Sequence, residues 1–399
     1  MTVYPVKGIR LASAAAGICY KDRDDLVVIE CQAGSSCATV FTQNKFSAAP
    51  VQLAKVHITQ SIPRAFLVNS GNANAGTGEK GMKNAVQCCE LLAGVLGCDV
   101  SEVLPYSTGV IGEQIPVQVF ETAIPGCVKR LSEEANAWER AAKAIMTTDT
   151  VPKLLSRKAG IAGCEVSITG MAKGAGMIRP DMATMLAFIA TDAVIEQTTL
   201  QQLLNEATRI SFNRITVDGD TSTNDACTLL ASGAVDMEPV VAGSTEYAQF
   251  STVLTTVMQD LAQAIIRDAE GATKFITINV AGGKSEADCL AVAYTVAESP
   301  LVKTALFASD PNWGRILAAV GRAPVSTLDI NQVNIRLNGV AIVTAGEPDS
   351  AYTEEAGMQA VAGTDITVDI ELGGSAEAVT VWTSDLSHEY VRINAEYRT

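Results

Sequence analysis

The chain predicts an α+β protein in which helices and sheets are stacked in layers. Three patterns carry that expectation. Short apolar runs with polar ends, at residues 25–30, 64–68 and 185–190, have the length of buried strands. Apolar residues at 3.6-residue spacing mark helices between them. In the last third, period-two alternation marks half-buried strands. Taken in order, helices are predicted over 80–96 and 135–146. The clearest spans 246–269, where Phe250, Val253, Leu254, Val257, Leu261, Ala264 and Ile265 share one face, with Gly271 as a stop signal beyond it. In 365–372, Ile366, Val368, Ile370 and Leu372 alternate with Thr367, Asp369 and Glu371. Residues 333–337 and 378–382 repeat the pattern. These strands are expected to be antiparallel, with helices over one face. No Pro/Ser-rich linker or internal repeat divides the chain.

Composition narrows the function. With 399 residues, 48% hydrophobic and 18% charged, the chain can bury a sizeable core. Its net charge of −15, from 29 Lys+Arg against 44 Asp+Glu, argues against nucleic acid and anionic membrane as partners. Ten cysteines lie among small apolar residues with no Cys-x-x-Cys pair, so they read as reduced core residues. The two histidines, His57 and His388, are far apart in sequence and cannot form a His-rich metal site. The N-terminal residues lack the apolar run of a signal peptide, and no stretch has the ~18 apolar residues of a membrane span. A soluble cytoplasmic protein is expected.

The most informative segment runs Met171-Ala-Lys-Gly-Ala-Gly-Met-Ile-Arg-Pro-Asp-Met-Ala-Thr184 and leads into an apolar run. Gly174 and Gly176 permit a tight turn, Pro180 biases Arg179 away from helix, and Ala183 adds little bulk before Thr184. A threonine hydroxyl so placed can attack the preceding carbonyl, turning peptide into ester. Hydrolysis then frees an N-terminal threonine that carries a nucleophile and a base on one residue. A threonine opening an apolar strand is also simply a good strand residue, and the residues alone leave both readings open.

Further blocks follow in order along the chain: Val68-Asn-Ser-Gly-Asn-Ala-Asn-Ala-Gly-Thr-Gly78, Tyr106-Ser-Thr-Gly-Val-Ile111, Ile215-Thr-Val-Asp-Gly-Asp-Thr-Ser-Thr-Asn-Asp225, Arg267-Asp-Ala-Glu-Gly-Ala-Thr-Lys274, Phe307-Ala-Ser-Asp-Pro-Asn-Trp-Gly-Arg315 and Ile393-Asn-Ala-Glu-Tyr-Arg-Thr399. The first lacks the Gly-Lys-Ser/Thr ending of a phosphate loop and reads as a structural turn. Together with the segment around Thr184, they closely resemble the ornithine acetyltransferase family, the bifunctional glutamate N-acetyltransferases of arginine biosynthesis. The resemblance covers essentially the whole chain. Arg179-Pro-Asp181 departs slightly from the family's His/Ala-Pro-Asn/Ser, which touches the rate of processing alone.

The resemblance implies a fold similar to the N-terminal-nucleophile hydrolases, with different strand connectivity. It implies cleavage between Ala183 and Thr184, giving an α chain of residues 1–183 and a β chain of 184–399, assembled as two α and two β chains. It makes Thr184 the nucleophile and Thr108 with Gly109 the oxyanion site. Thr147 (or its neighbour Thr148), Lys173, Thr184, Glu270, Asn394 and Thr399 become substrate contacts, with the last residues folded back over the pocket. The implied reaction is ping-pong transfer of acetyl from N2-acetylornithine to glutamate through an acetyl-threonine. It needs no metal or organic cofactor, although some relatives also use acetyl-CoA as donor. Two alternatives stay open: an N-terminal-threonine amidase or aminopeptidase, and an uncleaved binding protein.

Overall fold

Strand Ala65–Asn72 is buried at every position, as befits an eight-residue run without a charged side chain whose two faces are both covered. The computed structural model describes residues 2–179 and 185–396. They form two compact units: one holds the chain up to Asn213 together with Thr221–Ile265, the other Arg214–Asp220 and the described chain from Ile266 onward.

In the first unit, strands Ile9–Ala14, Leu26–Cys31, Ala65–Asn72 and Val103–Val110 form one sheet in that order, the last pair parallel and the others antiparallel. A second sheet has the order Ser36–Phe41, Ala226–Ala231, Leu186–Thr191, Cys164–Lys173, Lys153–Ile161. Alternation along each strand decides what packs where. Phe66, Val68 and Tyr106 share a core with Met171, Phe188 and Leu230 of the second sheet. Tyr106 meets Phe188 edge to face at 5.0 Å, and its hydroxyl lies 2.8 Å from Thr228 Oγ1. On the other face, Leu67 and Val103 pack on Cys88 and Leu92 of helix Gly78–Leu96 and on Phe120 and Ile124 of helix Val117–Val128. Helix Gln197–Arg209 covers the second sheet, and Gly170 in that sheet lets Leu261 of helix Thr245–Arg267 approach to Cβ-contact distance. Helices, sheet, sheet and helices follow one another, which is the layered α+β arrangement expected.

The predicted helices stand with no end shifted by more than two residues, since periodicity places a helix more firmly than its termini. Phe250, Leu254, Val257, Leu261 and Ile265 are all fully buried, each worth on the order of 1.5–3 kcal/mol of apolar burial. All ten cysteines are free, and seven are buried. No helix among the described residues is long and apolar enough to cross a membrane.

The second unit is built on a seven-stranded sheet: Glu347–Pro348, Val340–Thr344, Asn334–Leu337, Asp365–Glu371, Phe275–Gly283, Glu377–Ser384, Ile215–Thr216. Ile366, Val368 and Ile370 join Ile278, Val280, Cys289, Val292 and Val296 in one core, so helices do lie over one face. The expected antiparallel pairing holds between Asp365–Glu371 and Asn334–Leu337 and fails between Asp365–Glu371 and Phe275–Gly283, which run parallel. Helices Glu286–Ala297, Pro300–Phe307 and Trp313–Gly321 separate those two strands, and a connection of that length lets the chain return in the same direction.

Candidate active site

The parallel strands Ala65–Asn72 and Val103–Val110 set Ser70 opposite Thr108 and Gly71 opposite Gly109, and their register slips at Asn72. Gly109 has a φ of +130°, and a Cβ there would sit 2.2 Å from the carbonyl carbon of Gly71. Only glycine allows this approach. Side chains from the Asn-rich block brace the strand ends. Asn69 Nδ2 donates to the Asn72 carbonyl at 2.8 Å, and Ser107 Oγ donates to Asn69 Oδ1 at 2.6 Å. Asn224 Nδ2 donates to the carbonyls of Ala73 (2.7 Å) and Ser107 (2.9 Å). The block starting at Val68 is therefore a structural turn, as its sequence predicts.

Lys173 ends the strand Cys164–Lys173. It is buried, and its Nζ donates to Thr108 Oγ1 at 3.2 Å. An ammonium has donors only, so it takes an acceptor lone pair of the hydroxyl and leaves the hydroxyl hydrogen to be donated elsewhere. A hydroxyl polarised by a buried cation and set beside Gly109 suits a developing oxyanion.

Asp149, which no motif singles out, holds this region together. Its side chain is fully buried and accepts from Lys153 Nζ at 2.5 Å and from the Gly174 amide at 2.8 Å through Oδ1, and from the Thr147 amide at 3.0 Å through Oδ2. Lys153 Nζ also donates to the Gly174 carbonyl at 3.1 Å. Burial by itself would raise the Asp149 pKa. The charges of Lys173 and Lys153, helped by the Gly174 amide, outweigh it and hold the carboxyl at about 2. The ionised carboxylate thus pins the backbone of Thr147 and of the residue after Lys173. Thr147 and Thr148 are both half-buried at this turn.

Lys173 pairs with Leu186 across the antiparallel strands Cys164–Lys173 and Leu186–Thr191. Residues 180–184 of the connection, Ala183 and Thr184 among them, lie outside the described residues, as does Thr399. On either side, the Arg179 carbonyl accepts from Thr221 Oγ1 at 3.3 Å, and the carbonyl of buried Met185 accepts from the Ala226 amide at 3.0 Å.

In the second unit, Asn394 Nδ2 donates to Glu270 Oε2 at 2.8 Å and to the Tyr390 carbonyl at 3.0 Å. Both Asn394 and Tyr390 belong to helix His388–Glu396. Ser387 caps that helix, accepting from the amides of Glu389 (3.2 Å) and Tyr390 (3.3 Å) while donating to the Gly271 carbonyl at 2.6 Å. Gly271 has a φ of +69°, and a Cβ there would come within 2.5 Å of the Tyr390 nitrogen, so the helix sits directly on the turn that carries Glu270. The Tyr390 hydroxyl donates to Asp218 Oδ2 at 3.1 Å; burial first, then the Asp218 charge, pushes its pKa up.

A model of the ArgJ family matches residues 10–399. The arginine biosynthesis bifunctional protein ArgJ of Methylococcus capsulatus is 54% identical over 395 residues, spanning 99% of this chain and 96% of its own length. This chain belongs to the ArgJ family. The ArgJ of Pseudomonas syringae pv. tomato is 52% identical over 398 residues, spanning 100% of this chain and 98% of its own. Among solved structures, the ArgJ of Bacillus halodurans is 37% identical with a TM-score of 0.52, all of that chain matching 54% of this one. ArgJ is the family that the motif blocks predict. In this ArgJ chain, Thr108, Gly109, Thr147 and Lys173 gather in the first unit around Asp149, and Glu270 and Asn394 gather in the second around Tyr390. Asp149, Lys153, Asp218 and Tyr390 were not legible as site residues. The signal for the first two was an acid and a lysine four residues apart beside the Thr147-Thr148 pair.

Proposed function

We propose that this ArgJ chain cuts itself between Ala183 and Thr184 and then transfers acetyl from N2-acetylornithine to glutamate. One observation carries the reading. Lys173 is hydrogen-bonded to Thr108 and paired with Leu186, and Thr184 precedes Leu186 by two residues. The described chain resumes at Met185, and the next residue, Leu186, lies opposite the Lys173 that holds Thr108.

The Thr184 hydroxyl attacks the acetyl carbonyl carbon, and its proton passes to the free α-amine, whose ordinary pKa of about 7.7–8.0 suits a base near neutrality. Thr108 and the Gly109 amide hold the oxyanion. The C–N bond then breaks, and ornithine leaves with the proton. The glutamate amine attacks the acetyl ester, its proton takes the same route to Thr184 Oγ, and N-acetylglutamate departs. Lys173 and Thr147 hold the substrate, its carboxylate falling to Lys173. Glu270, oriented by Asn394, takes the charged amine of ornithine, and Thr399 closes the pocket. The cycle uses no metal or organic cofactor. The name of the relatives, bifunctional, fits acetyl-CoA as a second donor for glutamate. The processed protein assembles as two α and two β chains in the cytoplasm. The 54% of this chain matched by the whole Bacillus halodurans chain is also the share that a β chain of 216 out of 399 residues would take.

Denaturing intact-mass measurement tests the cut: fragments of residues 1–183 and 184–399 are expected. Thr184→Ala is expected to leave one intact chain and to abolish transfer. Full activity in that variant would sink the mechanism. Glutamate against water as acceptor separates this enzyme from an amidase.

A further inference from the structure

The loop between strands Ile9–Ala14 and Leu26–Cys31 has no part in the reaction described above, yet it lies against the oxyanion strand end. Fully buried Asp25 shapes it, accepting from the Ala16 amide at 2.7 Å through Oδ1 and from the amides of Ile18 (2.6 Å) and Cys19 (3.4 Å) through Oδ2. Cys19 packs so closely on Gly71 that a Cβ at Gly71 would overlap the Cys19 Cβ, and Gly71 is the partner of Gly109 across the parallel strands. Beyond Cys19 the loop delivers Arg23 to the turn that follows helix Ala135–Ala144. The Arg23 guanidinium stacks 3.6 Å from the centre of the Tyr20 ring, and Nη2 donates to the Met146 carbonyl at 2.6 Å. That carbonyl belongs to the same peptide group as the Thr147 amide, which donates to Asp149 Oδ2 at 3.0 Å. A cation thus sits at the oxygen end of one peptide dipole and an anion at its N–H end, both favourable placements. The Nε of Arg23 is buried with no acceptor among the described residues, so the guanidinium keeps this place although it gives up a hydrogen bond that water would supply.

We propose that Arg23 is a positioning residue for Thr147, fixing the Met146–Thr147 peptide plane and through it the side chain that contacts substrate. The inference rests on the reading of Thr147 as a substrate contact. A single hydrogen bond from the Thr147 amide to Asp149 leaves the peptide free to pivot about that bond. A second bond, at the opposite end of the same plane, removes the pivot. Arginine suits the task because its planar fork lies flat on Tyr20 while Nη2 meets the carbonyl; a lysine ammonium carries the charge without the stack. A contact made equally to bound substrate and to the transition state affects KM and leaves kcat nearly untouched, so a loosened Thr147 should show itself in KM.

The test is a double-mutant cycle on the full processed enzyme, with Arg23→Gln, Thr147→Ala and the two combined, and with Arg23→Lys beside them. Arg23→Gln should raise the KM for N2-acetylornithine about tenfold, the loss expected for one hydrogen bond to a charged group, while kcat stays within about threefold. Arg23→Lys should recover most of that loss. In the Thr147→Ala background, Arg23→Gln should add less than about twofold, because two residues that act through one contact are not additive. A full tenfold effect of Arg23→Gln in that background overturns the positioning role. So does an unaltered KM in Arg23→Gln when Thr147→Ala raises it. An unaltered KM in Thr147→Ala overturns instead the substrate reading of Thr147 on which the proposal stands. Should Arg23→Gln fail to fold in thermal melts, Tyr20→Leu, which removes the ring beneath the guanidinium, takes its place in the cycle and the same outcomes decide.

Discussion

At the scale of single residues, Gly109 and Asp149 make different demands on the same few ångströms. A side chain at position 109 would have to enter the backbone of Gly71 and Asn72, which cannot yield as a flexible side chain would. Gly109→Ala should therefore lower transfer at least a hundredfold or prevent folding. Gly94→Ala, on a helix with open space around it, should fold and gain about 1 kcal/mol. Thermal melts and acetylornithine assays on the pair check this; wild-type activity in Gly109→Ala would displace the oxyanion site from this strand end. Asp149 acts through charge. Its folded pKa of about 2 lies below its unfolded value of 3.8, so its stabilisation is fully present above about pH 4 and is lost as pH falls through about 2. The difference corresponds to about 2 kcal/mol. Asp149→Asn should remove that part of the acid limb in urea melts. At neutral pH it should cost about 3 kcal/mol or more, because Lys153 would stay buried without its anion. Gly109 and Lys173 were legible because they stand in long family blocks. Asp149 was not: an acid between threonines reads as a solvated turn, and Lys153 reads as a surface charge until the fold buries both beside Lys173.

At the scale of elements, apolar periodicity gave helices and buried strands their places, because burial is what the period records. Strand direction was not legible. Parallel and antiparallel neighbours bury the same alternating face, and the pairing of Asp365–Glu371 with Phe275–Gly283 depends on the helices between them. Helix His388–Glu396 was missed for a related reason. It has no buried residue to mark a face, and capping and backbone contact with the Gly271 turn hold it in place. Its stability should therefore depend on Ser387. Ser387→Ala removes the acceptor for two helix amides and the donor to Gly271, at a cost of about 1 kcal/mol. If Asn394 orients Glu270 for the ornithine amine, loosening the helix should raise the KM for N2-acetylornithine several-fold and change kcat little, with Ser387→Thr restoring it. Hydrogen exchange over residues 388–396 reads the loosening directly. Fast exchange with an unchanged KM would separate the helix from substrate binding.

At the scale of the whole molecule, the units were invisible in sequence because the chain visits the second unit briefly over Arg214–Asp220 and passes to it finally inside helix Thr245–Arg267, where composition does not change. The proposed cut at Ala183/Thr184 follows neither unit. In the five-stranded sheet, Leu186–Thr191 and Ala226–Ala231 would belong to the β chain, and Cys164–Lys173 and Ser36–Phe41 to the α chain. Leu186–Thr191 pairs with Cys164–Lys173, and Ala226–Ala231 pairs with Ser36–Phe41, so two backbone ladders cross from one product to the other. The core beneath is shared as well: Phe188 and Leu230 from one product meet Phe66, Tyr106 and Met171 from the other. Hydrolysis of one peptide bond leaves those ladders and that apolar burial in place, and separating the products would expose both sheet edges and the core. The two fragments should therefore elute together from gel filtration in native buffer after complete cleavage, and part only in denaturant. Residues 1–183 expressed alone should be insoluble, with co-expressed 184–399 rescuing them. Free fragments in native buffer would mean that the sheet opens once the chain is cut, and the active site could not then draw its nucleophile from one product and its oxyanion donors from the other.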